Sequence, residues 1–137
     1  MASITVTAAN VRALPGSIVR RYTAAEALAP GQAVYLTAAK TVTRADGSAA
    51  ATYLPFVGIV VGDQYGNTTI PSGGEVDVCV YGPVTGISGA TPGAHVYVSD
   101  SVGEITEAAG EATKDMVVGY IEQATVLFVR PQVVDWS

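Results

Sequence analysis

Pro30-Gly31-Gln32-Ala33-Val34-Tyr35-Leu36-Thr37 returns later in the chain as Pro92-Gly93-Ala94-His95-Val96-Tyr97-Val98-Ser99. A second block returns as well: Phe56-Val57-Gly58-Ile59-Val60 becomes Val117-Val118-Gly119-Tyr120-Ile121. The offsets are 62 residues for the first block and 61 for the second. Each copy couples a Pro-Gly turn to a short apolar, β-branched run, which is the composition of a strand and not of a helix. A half-structure of this kind leaves edge strands unpaired, and two halves can pair them. The block therefore predicts an all-β fold: a small, internally duplicated β-barrel or sandwich.

The rest of the chain fits that frame. Glu75 to Tyr81 alternates, with Val76, Val78 and Val80 on one side and Asp77, Cys79 and Tyr81 on the other. Gly73-Gly74 and Gly82-Pro83 punctuate its ends. Tyr53 to Val61 is the most apolar stretch, and Pro55 with its short length makes it a buried strand. Thr41–Thr43, Glu104–Thr106, Met116–Glu122 and Thr125–Val129 supply further strands, about nine in all. Ala45–Thr52 and the acidic Glu107–Asp115 are loops in matching places. Thr23 to Ala29 is Ala-rich and reads as one helical turn stopped by Pro30.

Residues 1–21 have no counterpart in the repeat. Ser3-Ile4-Thr5-Val6-Thr7 alternates like a half-buried strand, and Ala13-Leu14-Pro15-Gly16 breaks it. This is an extended N-terminal arm, which either packs on its own barrel or adds to the sheet of a neighbour. The organisation read from sequence is thus an arm over 1–21 and one duplicated domain over 22–131, with halves of about 29–83 and 91–131. A tail over 132–137 carries Trp136, and a lone terminal Trp usually docks onto something.

Composition narrows function. The chain has 137 residues, of which 49% are hydrophobic and 14% charged, and no apolar run reaches the roughly 18 residues of a membrane helix. Net charge is −5, and only Arg20-Arg21 place basic residues together, so the chain lacks the cationic patch that neutralises phosphates. No secretory signal is visible at the start. Cys79 is the single cysteine, so no intrachain disulfide forms, which fits synthesis in a reducing cytoplasm.

Catalytic patterns are missing. His95 is the only histidine and aligns with Ala33, so it reads as a strand side chain at a surface or interface. Gly86-Ile87-Ser88-Gly89 only loosely resembles a nucleophile elbow. Cys79, between valines on an alternating strand, reads as a packing residue. One His and one Cys cannot cage zinc. Asp100, Glu104, Glu107, Glu111 and Asp115 lack the spacing of a calcium loop and read as a solvated rim. Tyr35 and Tyr97, equivalent in the repeat, read as core or inter-sheet packing. No catalytic, cofactor-binding or metal-binding residue is assigned.

Several stretches together resemble the capsid decoration (cement) proteins of tailed bacteriophages. They are Ile4-Thr5-Val6-Thr7-Ala8-Ala9-Asn10-Val11, Thr23–Leu28 leading into Pro30–Leu36, Val57-Gly58-Ile59-Val60, Gly93–Ser99 and Thr125-Val126-Leu127-Phe128-Val129. The resemblance implies a non-enzymatic virion protein without a cofactor. It would sit on the outer capsid surface and stabilise the head by bridging major capsid protein subunits, often as an oligomer, with a homotrimer the first candidate. It brings no catalytic residues with it. Partner contacts are expected at Ile4, Val6, Val11 and Leu14 of the arm, at Arg20 and Arg21 facing acids on the shell, and at Trp136. Deleting residues 2–14 is then expected to abolish binding and leave the barrel folded. Competing expectations are a tail- or fibre-associated structural or glycan-binding module, a ring-forming tail-tube or connector protein, and a small β-barrel enzyme or metal-binding domain.

Overall fold

A computed structural model of the chain describes residues 4–45, 56–99, 101–107 and 114–135. It is built almost wholly of strands. β1 (Thr5–Val6) and β2 (Arg12–Ala13) flank a 3-10 turn at Ala8–Asn10, and β3 spans Ile18–Ala24. The first repeat supplies β4 (Ala33–Ala38), β5 (Thr41–Arg44), β6 (Phe56–Gly62) and β7 (Glu75–Thr85). After β8 (Ile87–Ser88), the second supplies β9 (His95–Val98), β10 (Ile105–Thr106), β11 (Lys114–Gln123) and β12 (Val126–Asp135). Among the described residues no helix is long and apolar enough to cross a membrane.

The duplication is visible in the pairing register. Val34 faces Gly58 and its equivalent Val96 faces Gly119. Leu36 faces Val42 as Val98 faces Ile105. The Pro-Gly turns are tied down in the same way: Gly31 donates its N–H to Val60 O at 2.7 Å, and Gly93 donates to Ile121 O at 2.8 Å. Glycine is needed at both crossing points. A Cβ on Gly58 would lie 2.1 Å from Cys79 O, and one on Gly119 would lie 1.9 Å from Phe128 O.

Ten strands share one sheet in the order β10-β9-β11-β12-β7-β3-β5-β4-β6, with β2 also on β7. In the first half the sheet curls until β6 returns to β7, setting Ile59 against Cys79 and Val60 against Val78. In the second half β10 stays at the end of the sheet. The whole is therefore barrel- or sandwich-like and not one closed barrel. β1 and β8 form a separate two-stranded sheet.

Strand alternation divides the interior into two cores. Val34, Val60, Val76 and Val78 point into the curl of the first half, beside Leu28, Val42 and Ile70. Their neighbours Ala33, Ile59 and Cys79 point out of it, and Val96, Val98, Ile121, Leu127 and Val129 of the second half pack on them. Where the second half packs on it, the first half is buried on both faces, at Ala33 and Val34, Ile59 and Val60, and Val78 and Cys79, which is why Val57 to Val61 reads as an apolar run. Each fully buried Val, Ile or Leu contributes roughly 1.5–3 kcal/mol of transfer free energy.

Three expectations need correction. Thr23–Ala29 makes no helical turn: Ala24, Ala25 and Leu28 donate their N–H groups to Gly74 O, Val42 O and Ile70 O, each at 2.9 Å. These tertiary partners outcompete the weak local preference of an Ala-rich run. Gly82-Pro83 does not end its strand. β7 runs through it and changes partners there, pairing with β3 and β6 before Gly82 and with β12 and β2 from Gly82 onward. Gly82 has φ +114° and lies against Ser17, where any Cβ would come within 2.5 Å of Ser17 Cα. Likewise β12 continues past Pro131 to Asp135, because the register shift between Val117 and Gly119 leaves Pro131 without a ladder position to fill.

Candidate functional site

The reactive side chains are scattered or occupied. Cys79 is fully buried, and burial pushes its thiol up to about 11. His95 is exposed on β9. Glu107 is 6% exposed and accepts the Thr91 N–H at 2.6 Å and the Thr91 hydroxyl at 3.2 Å. Glu104 is exposed, while the acidic positions Asp100 and Glu111 lie outside the described residues. Among the described residues no three His, Cys, Asp or Glu side chains gather closely enough to hold a metal ion.

A cleft of about 350 Å³ lies between β3 and the turn before β7 and is lined by Arg21, Asp63, Tyr65 and Glu75, among others. Its charges are already engaged. Arg21 reaches Asp77 at 3.0 Å, and Asp63 accepts the N–H groups of Asn67 and Tyr65 and the Asn67 amide. Those bonds, the Asn67 N–H foremost, hold Asp63 below the usual carboxylate range. Ile70 and Pro71 also line the cleft, and its lining presents no cysteine, serine, threonine or histidine.

One polar cluster braces the first half. Glu26 accepts bonds from the Thr43 hydroxyl, the Arg44 N–H at 3.1 Å and Arg44 Nη2 at 2.9 Å. Partial burial is the largest single influence and raises the Glu26 carboxyl, but the bonds from Arg44 and Thr43 together outweigh it and leave the group below its ordinary 4.5. A carboxyl lowered in the folded state stabilises above its unfolded value and loses that contribution as pH falls through the folded value. The melting temperature of the wild type should therefore exceed that of Glu26→Gln at pH 7. The gap should close as pH drops below about 4, and a gap unchanged down to pH 2 would show the charge to be irrelevant.

The N-terminal segment lies along the chain's own sheet. β1 pairs with β8, β2 with the end of β7, and β3 with the body of β7. Val11 is 4% exposed and belongs to the core between the halves, and Ile4 packs against the same core. Leu14 is half-buried and donates its N–H to Pro83 O at 2.9 Å. Val6 lies over the first Pro-Gly turn and is 36% exposed. Arg20 and Arg21 are exposed on β3. Trp136 lies outside the described residues. Deleting residues 2–14 would consequently strip Val11 from the core and β2 from β7. Loss of fold would accompany any loss of binding, contrary to the expectation from sequence, so exposed point substitutions are the cleaner probe.

The two halves differ in what covers them. Ala33 and Ile59 of the first half are buried under the second half, but of their equivalents His95 is exposed and Tyr120 only half-buried. Register aligns Pro83, Phe128, Tyr120 and His95 across β7, β12, β11 and β9. Phe128 stacks on Tyr120 with ring centroids 5.2 Å apart, and Tyr81 meets Phe128 edge-on at 5.2 Å. Tyr81 is 46% exposed, and its partner on β3, Ile18, is 54% exposed. Arg130 and Gln132 extend this face along β12. The result is a ladder of aromatic and amphipathic side chains on rigid strands, with no covering layer among the described residues. Rings of this kind supply contact area at low entropic cost.

Sequence reading did not single out Tyr81, Phe128, Tyr120 or Ile18. The signal was present in the repeat: where the first copy has Ala33 and Ile59, the second has His95 and Tyr120, polar-edged replacements at positions that the fold elsewhere buries. Tyr35 packs on the core as expected, and Tyr97 is half-buried.

Residues 6–129 match a family model described as structural cement protein, with E217 gp24 and Pam3 gp6 as its named examples. No curated protein matches the chain.

Proposed function

The chain belongs to the structural cement proteins of phages, and we propose that it binds the outside of the head and stabilises the shell by bridging major capsid protein subunits. The observation that carries this proposal is the aromatic ladder from the exposed Ile18 and Tyr81 to the half-buried Phe128 and Tyr120, which has no covering layer among the described residues. It is a rigid, partly apolar surface, suited to a protein partner and not to a small substrate. The physical mechanism is linkage. A protein that binds only the mature arrangement of shell subunits lowers the free energy of that arrangement by RT ln(1 + [L]/Kd), and so opposes whatever pushes the subunits apart. The chain acts without a cofactor and without catalysis on this account, is made in the host cytoplasm, and assembles as a homo-oligomer, with a trimer the first candidate. Several weak contacts on one shell then act together through avidity.

Heads purified without this chain provide the test. The wild type should bind them saturably, and Tyr81→Ser combined with Phe128→Ser should raise the half-saturation concentration by at least about tenfold. Sedimentation of the free protein checks the oligomer, and a monomer at high concentration would remove the trimer as a free species. Wild-type protein that fails to saturate heads contradicts the proposal.

A further inference from the structure

β3 has an open outer edge. Thr23 donates its N–H to Lys40 O at 2.7 Å, away from β7, while the next residue, Ala24, donates to Gly74 O on the β7 side. Successive backbone groups point to opposite edges of a strand, so the N–H and C=O of Arg21 and Val19 point the same way as those of Thr23. β5 covers that edge only at Thr23 and Ala24. Among the described residues nothing pairs with the outward backbone groups of Val19 and Arg21. The side chains there are unusual for a bare edge: Ile18 is 54% and Val19 41% exposed. The two arginines also differ. Arg21 is neutralised by Asp77 at 3.0 Å and Glu75 at 3.8 Å. Arg20 is exposed and has no hydrogen-bond or ion-pair partner among the described residues.

We propose that this edge accepts a strand from the capsid shell: an extended segment that pairs with the backbone of Val19 and Arg21, lays apolar side chains on Ile18 and Val19, and sets a carboxylate against Arg20. The assignment rests on the capsid-binding role proposed above and reverses the direction expected for the arm, which here receives a strand instead of donating one. Main-chain bonds supply affinity in such an addition, and the flanking side chains supply selectivity. A second copy of this chain is the wrong occupant. The antiparallel register that uses all the open groups sets Val19 against Arg21 of the other copy, and therefore Arg20 against Arg20, two like charges on directly opposed residues. An acidic segment removes that conflict and gives an unpaired cation in a chain of net charge −5 its counter-charge.

An edge arginine also serves simply to keep edges apart, and the experiment separates the two roles. Arg20→Glu, Arg20→Lys and Val19→Pro are made in the full chain and titrated onto heads purified without it, with melting temperature recorded for each free protein. Proline at an outward-facing edge position removes one donor and leaves the β3–β7 ladder intact. Arg20→Glu and Val19→Pro should each weaken binding by at least about tenfold, with Arg20→Lys much closer to wild type and the Arg20 variants unchanged in melting temperature. If Arg20 only repels other edges, glutamate serves equally well. Arg20→Glu that binds heads at the wild-type midpoint therefore overturns the proposal while leaving capsid binding intact. A wild-type chain that does not bind heads overturns both.

Discussion

Replacing Gly119 by alanine is expected to destabilise the fold by about 3 kcal/mol, with Gly58→Ala close behind. The reason is contact between main chains. At Gly119 a Cβ would stand 1.9 Å from Phe128 O and 2.9 Å from Arg130 N; at Gly58 it would stand 2.1 Å from Cys79 O. None of these atoms is the flexible end of a side chain, so relief requires a strand to move, and the strands concerned are paired along most of their length. Gly93→Ala is the control. Gly93 has φ +88° and open space where its Cβ would go, so it carries only the conformational penalty, roughly 1–2 kcal/mol. Urea midpoints for the three variants should therefore split into two classes. Equal losses for Gly119→Ala and Gly93→Ala would mean that the strands do not approach as closely as described.

Ile59→Ala should cost about 2–5 kcal/mol, whereas Tyr120→Ala, at the equivalent position of the second copy, should cost about 1–2 kcal/mol through loss of a half-buried, stacked ring. Ile59 is 1% exposed, in the core where the second half packs on the first. Tyr120 touches Phe128 across the strand pair, and its other side faces outward. Sequence equivalence alone would assign the two positions the same burden. The asymmetry is a consequence of stacking: the inward face of the second half covers the outward face of the first, and among the described residues no layer covers the second half in turn. Chemical denaturation of both variants measures the difference directly, and comparable losses would place Tyr120 in a buried interface of the free protein. The same pair separates stability from function, since Tyr120→Ala should weaken attachment to heads while costing less stability than Ile59→Ala.

Much of the architecture was legible in the sequence for a physical reason. Pro-Gly turns and Gly-interrupted valine runs constrain the backbone locally, and local constraints survive in one dimension. The repeat of Pro30–Thr37 at Pro92–Ser99 thus announced equivalent hairpins, and Gly58 and Gly119 marked equivalent crossings. What was not legible depends on distant partners. Gly82-Pro83 looks like a stop, yet β7 continues because β12 and β2 take over its pairing there. Thr23 to Ala29 looks helical by composition, yet Thr23 and Ala24 are held as strand by Lys40 and Gly74. The candidate surface was legible only in part. Arg20 and Arg21 stood out as the sole basic pair, but that Arg21 is internally neutralised and Arg20 is not depends on Asp77 and Glu75, more than fifty residues away in sequence. Val11 looked like an apolar contact for a partner and serves as a core residue, because alternation cannot say which layer lies beyond a face.

The central claim is that this duplicated β domain stabilises a phage head by binding its outer surface, and the most direct measurement is the thermal stability of the head itself. Heads purified without the chain would be heated in the presence of increasing amounts of it, with DNA release as the readout. The account predicts that the release temperature rises with occupancy and levels off when the shell is saturated. A release temperature that stays constant across full saturation, or heads that take up no protein at all, would contradict it.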